Sequence, residues 1–292
     1  MKRKSIISIM LVAIFVLSVL SVQAAGTDKQ KYNAVYGTGD QAITVATGSP
    51  GALGLLKALA DPFCHVNNCR INWIKKGSGA SLKAMKAGKV ELVMVHAPAA
   101  EEKAVKEGWA TMRTLLGSNE FYIVGPGSDS AGISKAGSAK DAYSMIAKAK
   151  AKFFSRGDNS GTHKKEMKIW KLAGIEPAGN WYVVTKDFMG PTLMRADKEI
   201  GYFMTDSSTF FAKQSKIRNL KILFKGDPIL VNVYHALVAS PERYPKANYT
   251  LAAKFVNFVS SAAGQKIFRE YGKTKYGTPL YSDAEYAKKW EH

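Results

Sequence analysis

The chain has 292 residues, enough for one or two domains with a sizeable buried core. Apolar residues make up 46% and charged residues 22%, which excludes a disordered, collagen-like or polytopic membrane chain. The 42 lysines and arginines against 23 aspartates and glutamates give a net charge of +19. No nucleic-acid-binding signature accompanies this charge, so we expect no specific nucleic-acid partner. The excess positive charge instead favours small anions or an anionic membrane surface.

The first 24 residues have the pattern of a secretory signal peptide. Lys2, Arg3 and Lys4 precede a mostly apolar run at 6–22, and residues 22–24 place small side chains at the cleavage-site positions. An uncleaved membrane anchor is the alternative. No cysteine follows the apolar run, which argues against a lipid-anchored protein. Cleavage leaves 268 residues with a charge of +16 and predicts an exported, periplasmic protein.

The two cysteines, Cys64 and Cys69, are too few for a disulfide scaffold or a tetrahedral zinc site. In an oxidising compartment they could close a small disulfide loop, and two free buried thiols are the alternative. No cluster of His, Cys and carboxylate residues has the spacing of metal ligands. We therefore expect no bound metal cation and no cofactor.

Short apolar runs alternate with helical patterns after the signal peptide. The first set has predicted strands at 42–46, 70–74 and 90–95, with a helix through 53–59 and another from 77 to 88. The second set has predicted helices at 141–150 and 161–173 and strands at 152–155, 181–184, 200–204 and 220–224. Strand, loop and helix in this rhythm indicate β-α-β units with mainly parallel sheets, and so an α/β fold.

Two further apolar runs indicate how the sets are joined. The run at 121–124 begins the second set, and the long run at 229–238 could return the chain to the first. The C-terminal pattern at 251–271 predicts one long amphipathic helix. We expect two lobes joined by two crossing strands: lobe I from 25–123 plus 237–292, and lobe II from 124–236. Small ligands usually bind in the cleft between such domains.

The helix predicted to begin near Ser160 has the composition of an anion site. Its free backbone N–H groups and positive dipole end would face an anion. Ser160 and Thr162 add hydroxyl donors, and Gly161 allows a close approach to the backbone. Arg156, just upstream, supplies a planar charged fork. The alternative is an ordinary N-cap at Ser160 with Arg156 on the surface.

Two other loops between a strand and a helix have a similar composition. Thr47, Gly48 and Ser49 follow the first predicted strand, and Ser78 and Gly79 follow the second. In an open parallel sheet such loops gather at the carboxyl edge, where ligands usually bind. The three loops together predict a binding site for a small oxyanion.

Enzymatic interpretations have less support. The motifs G-x-S-x-G, H-E-x-x-H and G-x-x-x-x-G-K-[ST] are absent from the sequence. A secreted hydrolase that uses Ser160 or Thr162 with His163 is the alternative. His96 follows an apolar strand, where a structural role is expected. We predict a binding protein rather than an enzyme.

The sequence resembles the tungstate-binding solute receptors of ABC importers over roughly 42–271. The segments that carry the resemblance are LLKAL after the first loop, KAGKVELVMVHAPAAEEKAVKEGW at 86–109, SRGDNSGTHKKEMKIWKLAGIEP at 155–177, MGPTL at 189–193 and GYFMTD at 201–206. The resemblance implies a type II periplasmic-binding-protein fold, in which two α/β lobes joined by a two-strand hinge close around an oxyanion.

The resemblance also implies roles for particular residues. The family's ligand-binding arginine falls on Arg156, and its S-G-T helix start falls on Ser160, Gly161 and Thr162. The implied function is to deliver tungstate, or a close relative such as molybdate, to an ABC permease in the inner membrane. We expect a monomeric receptor.

The first loop departs from the family pattern. Where the family usually has Thr-Thr-Thr-Ser, this chain has Ala46-Thr47-Gly48-Ser49, so two hydroxyl groups are missing. The spacing of Arg156, Asp158 and Ser160 also resembles phosphate receptors, which makes phosphate the rival ligand. Phosphate keeps a proton near pH 7 and needs an acceptor. Asp158 is the nearby carboxylate, and we expect Arg156 to occupy it.

Overall fold

The computed structural model describes residues 31–291, and the predicted signal peptide and its cleavage site lie outside them. The strands are β1 (Ala34–Tyr36), β2 (Gln41–Thr47), β3 (Cys69–Lys75), β4 (Leu92–Val95), β5 (Ala110–Pro126), β6 (Phe153–Ser155), β7 (Tyr182–Val184), β8 (Tyr202–Asp206), β9 (Leu220–Phe224), β10 (Val231–Ala239) and β11 (Ser282–Asp283). The helices are α1 (Ser49–Ala52), α2 (Leu55–Asn67), α3 (Ser78–Lys86), α4 (Pro98–Lys106), α5 (Ala139–Lys148), α6 (Gly161–Leu172), α7 (Met189–Lys198), α8 (Ser207–Lys213), α9 (Tyr249–Ser260), α10 (Ala262–Glu270), α11 (Lys273–Tyr276) and α12 (Ala284–Ala287). None of the helices within 31–291 is long and apolar enough to cross a bilayer.

The strands form one mixed sheet in the order β1-β3-β2-β4-β10-β5-β8-β6-β7, with β9 and β11 also paired to β5. Strand β2 is parallel to β3 and β4, and β6 is parallel to β7 and β8, as β-α-β units require. The strands that join the two sets, β5 and β10, pair antiparallel with each other and with their other neighbours. The α/β fold class is confirmed. The parallel pairing belongs to the two sets, whereas the junction between them is antiparallel.

Strand β5 is much longer than the predicted strand at 121–124, because it runs for 17 residues. Residues 110–120 pair with β10, and residues 121–126 pair with β8 and β9. Polar residues interrupt the first part, so its sequence lacks a continuous apolar run, but pairing with β10 along its length, and with β11 at 117–118, provides backbone hydrogen bonds. Asn232 Nδ2 of β10 also donates to Asn119 Oδ1 of β5 at 2.7 Å. The two crossing strands therefore form one hydrogen-bonded ladder.

The prediction of one helix at 251–271 is wrong, because the chain forms α9 and α10 with a break at Ser261. The Ser261 backbone N–H donates to the Phe258 carbonyl at 3.1 Å, which ends α9. Its hydroxyl accepts from the Gly264 N–H at 3.3 Å, which caps α10. The amphipathic pattern continues through the break because both helices pack against the same core. The other predicted strands begin and end within two residues of the observed ones, β5 excepted.

Two large cores lie on either side of the crossing strands. The first core draws its residues from 43–116 and 234–281, beneath α2, α9 and α10. The second core draws its residues from the single stretch 121–230. A smaller cluster covers the opposite face of the first set, beneath α3 and α4. Both faces of β2 and β4 are thereby covered, which explains their nearly continuous apolar sequences.

The two cysteines lie side by side in the first core. Cys64 is in the last turn of α2 and Cys69 begins β3, and both are buried. Their Sγ atoms are 3.1 Å apart, and both side chains are free thiols. Burial raises the pKa of the Cys64 thiol, which disfavours the reactive thiolate. The structure thus has the second of the two alternatives, a pair of free buried thiols.

Candidate functional site

A cavity of about 330 Å³ opens where the carboxyl ends of the strands meet the starts of the helices. Its lining comes from the loops after β2, β3, β4 and β6 and from the segment that begins α7. Five of the nine predicted ligand-binding residues line it: Gly48, Ser49, Ser78, Arg156 and Ser160. The loops that the sequence analysis singled out therefore converge on one site.

The other four predicted residues lie beside the cavity rather than in its lining. Thr47 is fully buried, and its Oγ1 donates to the Met94 carbonyl at 2.8 Å. The Thr47 side chain therefore bonds to the neighbouring strand β4 rather than lining the cavity. Gly79 and Gly161 lie in the first turns of α3 and α6. Thr162 is 1% exposed, and its hydroxyl has no partner within the described residues.

Two serine hydroxyls are arranged alike at the helix starts. Ser78 Oγ accepts from the backbone N–H of His96 at 3.2 Å, and Ser160 Oγ accepts from the backbone N–H of His163 at 3.3 Å. Since each oxygen accepts from a fixed backbone donor, each hydroxyl proton stays available for another acceptor. Both serines line the cavity and are buried, so an anion there is a suitable acceptor.

Arg156 is held in place by neighbours on its own side of the cavity. The side chain is 5% exposed, and its Nε donates to the Asp187 carbonyl at 3.2 Å. Its Nη2 pairs with Asp158 Oδ2, while Asp158 Oδ1 accepts from the Ser160 N–H at 3.1 Å. The expected pairing of Arg156 with Asp158 is confirmed. The guanidinium is thus fixed in orientation, and its remaining N–H groups can donate to a ligand.

The cavity carries more positive charge than the sequence analysis found. Lys75, at the end of β3, and Lys213, at the end of α8, line it together with Arg156. No Asp or Glu of residues 31–291 lines it. No group of three or more His, Cys, Asp or Glu in that range could hold a metal ion. The place of Lys75 in the cavity lining could have been predicted, because it lies just before the Gly77 loop. Nothing in the sequence indicated that Lys213 lines the cavity.

The start of α7 is a second feature that the sequence analysis missed. Phe188 precedes this helix, and Met189, Gly190 and Pro191 form its first turn and line the cavity. The first backbone N–H groups of a helix have no partner in the helix and suit an anion. The segment MGPTL carried part of the family resemblance, and its proline in a first turn was an available signal.

Two aromatic groups complete the wall. His96 and Tyr234 line the cavity with ring centroids 5.0 Å apart. Burial, followed by the charge of Arg156, lowers the pKa of His96 to about 3, so the imidazole is neutral at pH 7. Burial raises the pKa of Tyr234, which keeps its hydroxyl protonated. These groups enclose the site without adding charge.

The geometry does not pair His163 with a nucleophile. His163 Nδ1 accepts from the Asn159 backbone N–H at 3.1 Å. Ser160 Oγ interacts with the backbone N–H of His163 rather than with its ring. A nucleophile and its base require a direct hydrogen bond between the two side chains. The arrangement is that of a helix cap, and the hydrolase alternative has no support in these contacts.

Glycines allow the two sides of the cavity to come close together. A Cβ added to Gly161 of α6 would lie 2.4 Å from His96 Cε1, and one added to Gly79 of α3 would lie 2.8 Å from the Asn159 carbonyl oxygen. Helix α3 packs on β4, whereas α6 packs on α5 and β8, so both contacts cross between the two sets of strands. A side chain larger than hydrogen would hold the sides apart.

A buried carboxyl group lies behind the Arg156 loop. Glu166 of α6 is 1% exposed and accepts from the Ser155 hydroxyl at 2.9 Å and the Tyr182 hydroxyl at 2.6 Å. Burial outweighs these hydrogen bonds and raises the pKa of Glu166 to about 7. Ser155 is the residue immediately before Arg156, so Glu166 helps to fix the start of the loop.

The fold is that of the periplasmic binding proteins, a class of solute receptors. The model of the PBP superfamily domain matches residues 24–263, so the chain belongs to that superfamily. Over 242 residues the chain is 33% identical to the tungstate-binding protein TupA of Peptoclostridium acidaminophilum. This match covers 82% of this chain and 84% of that protein. The chain thus belongs to the same family as TupA, that of the solute-binding proteins of ABC transporters.

Solved structures agree with this assignment. The structure described as the tungstate ABC transporter from Geobacter sulfurreducens is 40% identical with a TM-score of 0.73, and the match covers 80% of this chain and 100% of that one. Tungstate-binding TupA from Desulfovibrio alaskensis G20 is 38% identical with a TM-score of 0.71, over 83% of this chain and 98% of that one. The family resemblance noted in the sequence is confirmed.

Replacing Gly161 with alanine should hold the site open. The added methyl group would collide with His96, so we expect Gly161→Ala to weaken oxyanion binding at least about tenfold, or 1.4 kcal/mol. Gly190→Ala is the matched control, because Gly190 also lies in a helical first turn at the cavity and its Cβ would meet nothing closer than Lys213 Cε at 3.6 Å. Calorimetric titration of both variants tests this. Equal losses in the two variants would contradict it.

Glu166 should make the stability of the protein depend on pH. Its pKa is higher in the folded chain than in the unfolded chain, so its stabilising effect is complete below about pH 4.5 and is lost as the pH rises through about 7. We expect the free energy of unfolding to fall over that range by up to about 3 kcal/mol more in the wild type than in Glu166→Gln. Urea unfolding between pH 4 and pH 9 measures both curves, and parallel curves would refute the assignment.

Proposed function

We propose that the protein is a periplasmic receptor that captures tungstate in this cavity and delivers it to an ABC permease. One observation carries the proposal: within residues 31–291 the cavity is lined by Lys75, Arg156 and Lys213, by hydroxyl groups and by helix starts, but by no carboxylate. Such a lining suits a small dianion and repels cations. The names of its relatives, which are tungstate-binding proteins, support tungstate as the ligand.

The proposed ligand contacts come from all three loops. Arg156 provides the charged fork, and Ser78 and Ser160 donate their hydroxyl protons. Gly48 and Ser49 provide a backbone N–H and a hydroxyl from the first loop. Gly161 and Thr162 complete the set, the former through its backbone N–H and the latter through a hydroxyl that has no partner in the described part of the chain. Charge-assisted hydrogen bonds of this kind contribute about 1.5–3 kcal/mol each, before the cost of association.

The same lining favours a fully deprotonated oxyanion over phosphate. Near pH 7 phosphate retains a proton and needs an acceptor in the site. Asp158, the nearest carboxylate in the loops, already accepts from Arg156 and from the Ser160 N–H. Tungstate, molybdate and sulfate carry no proton and need only donors. Calorimetric titration with these four anions tests the ligand class, and tight binding of phosphate alone would overturn it.

We infer that the two cores define two lobes. Lobe I comprises 25–123 plus 237–292, lobe II comprises 124–236, and β5 and β10 connect them. In this proposal Ser49 and Ser78 lie on lobe I and Arg156 and Ser160 on lobe II, so an anion contacts both. The protein works as a monomer, has no catalytic activity and needs no cofactor. The permease distinguishes the closed, loaded receptor from the open one.

Arg156 should contribute most to the affinity. The loss of a charged donor to a buried anion costs about 2–5 kcal/mol. We therefore expect Arg156→Ala to weaken tungstate binding at least tenfold, and Arg156→Lys to weaken it less because a charge remains. Calorimetric titration measures both variants. An Arg156→Ala variant that binds tungstate as tightly as the wild type would show that the ligand lies elsewhere.

Ligand binding should also close the two lobes. An anion that contacts both sides stabilises the closed state selectively, so it shifts the open–closed equilibrium. We expect small-angle scattering to show a smaller radius of gyration with tungstate than without it. Thermal unfolding should show a gain of about 2.7 kcal/mol at a hundredfold excess of ligand over Kd. Stabilisation with unchanged dimensions would argue against closure, although not against the anion site.

A further inference from the structure

Two residues that line the cavity, Lys75 and Phe188, are in contact with each other. The Lys75 Nζ lies 4.1 Å from the centroid of the Phe188 ring, within the range of a cation–π interaction. Lys75 ends β3, whose buried apolar residues belong to the first core and to the smaller cluster of the same set, and Phe188 precedes α7, whose buried apolar residues belong to the second core. The contact therefore joins the two sides of the cleft.

The ammonium group of Lys75 has few other interactions. No ion pair of Lys75 occurs within residues 31–291, although its side chain is half-buried at the cavity. Its ammonium group lies over the ring of Phe188, and the side chain lines the cavity. A charge in such a position gains from a π-face on one side and from an anion on the other.

Phe188 faces a second cation as well. The Arg156 Cζ lies 6.0 Å from the same ring centroid. Lys75 and Arg156 carry like charges and come from opposite sides of the cleft, so without an anion they oppose closure. An anion in the cavity offsets that repulsion. With the repulsion offset, the two sides of the cleft can approach each other, and the Phe188 ring can contact Lys75.

We propose that Lys75 and Phe188 form a clasp that closes over the bound oxyanion and slows its release. The proposal rests on the proposed function, because it assumes an anion in the cavity. The clasp forms in the closed state and is broken in the open state, so its loss should act on the dissociation rate more than on the association rate. A contact of this kind is expected to slow release by about tenfold.

A double-mutant cycle tests the clasp. Tungstate dissociation is followed by stopped-flow tryptophan fluorescence in the wild type, Lys75→Gln, Phe188→Leu and the double variant. We expect Phe188→Leu to release tungstate about tenfold faster and Lys75→Gln to release it at least as fast, because that variant also loses a charge that faces the anion. The double variant should release it no faster than Lys75→Gln, because the ring acts through Lys75. Release from Lys75→Arg should stay as slow as from the wild type, since arginine also interacts with an aromatic face.

Lys213→Gln is the control for charge alone. Lys213 lines the same cavity but makes no cation–π contact within residues 31–291. We expect its loss to weaken binding and to add independently to the effect of Phe188→Leu. Thermal unfolding without ligand verifies that every variant is folded.

The possible failures are distinguishable. If the wild type binds none of tungstate, molybdate, sulfate and phosphate, the proposed function is wrong. If the wild type binds tungstate but release is unchanged in Lys75→Gln, the clasp is wrong and the receptor stands. Additive effects of Lys75→Gln and Phe188→Leu would also overturn the clasp, because they would show two independent contributions. A double variant that releases tungstate at the same rate as Lys75→Gln establishes the pair.

Discussion

The site depends on one constraint: positive charge accumulates in a cavity to which the described residues, 31–291, contribute no carboxylate. Arg156, Lys75 and Lys213 face one small space, and like charges in a partly buried cleft repel one another more strongly than in water. The protein offsets this locally: Asp158 pairs with Arg156, and the ring of Phe188 faces two of the cations. The neutral His96 adds no further charge. The positive charge that remains uncompensated can be neutralised by an anion. The electrostatics of the site therefore favour an anionic ligand.

Most of the fold, and the three loops of the site, could be predicted from the sequence because parallel strands end at one edge of a sheet. The apolar runs predict where each strand ends, so Ser78, Arg156 and Ser160 could be placed together at the carboxyl edge of the sheet. Lys213 could not, because it reaches the cavity from a helix in the second set, and sequence spacing carries no information about that packing. The ligand role expected for Thr47 is not supported for a related reason. A shift of one residue along a strand turns a side chain to the opposite face, and here the hydroxyl meets Met94 instead of the cavity.

Strands β5 and β10 form a continuous ladder rather than two separate connections. Asn119 and Asn232 are opposite each other in this ladder and are hydrogen-bonded through their side chains. On the site side, Lys165 of α6 donates to the carbonyls of Ile229 and Val231 at 2.7 and 3.3 Å. Helix α6, whose N-cap residue Ser160 lines the cavity, is thereby attached to the start of β10. Movement of α6 and twisting of the ladder are therefore linked by direct contacts.

The order of the cores along the chain has a consequence for how the protein acquires its structure. The second core uses one uninterrupted stretch, 121–230, so all its contacts can form once that stretch has been synthesised. The first core combines β2 and β3 near the beginning with Leu280 and Tyr281 near the end, so it has to wait for the whole chain. Contacts between segments so distant in sequence carry a large loop-closure entropy and slow folding. Until the C-terminal helices arrive, the apolar face of β2 and β3 lacks its cover, which is the period in which the chain is most exposed to aggregation.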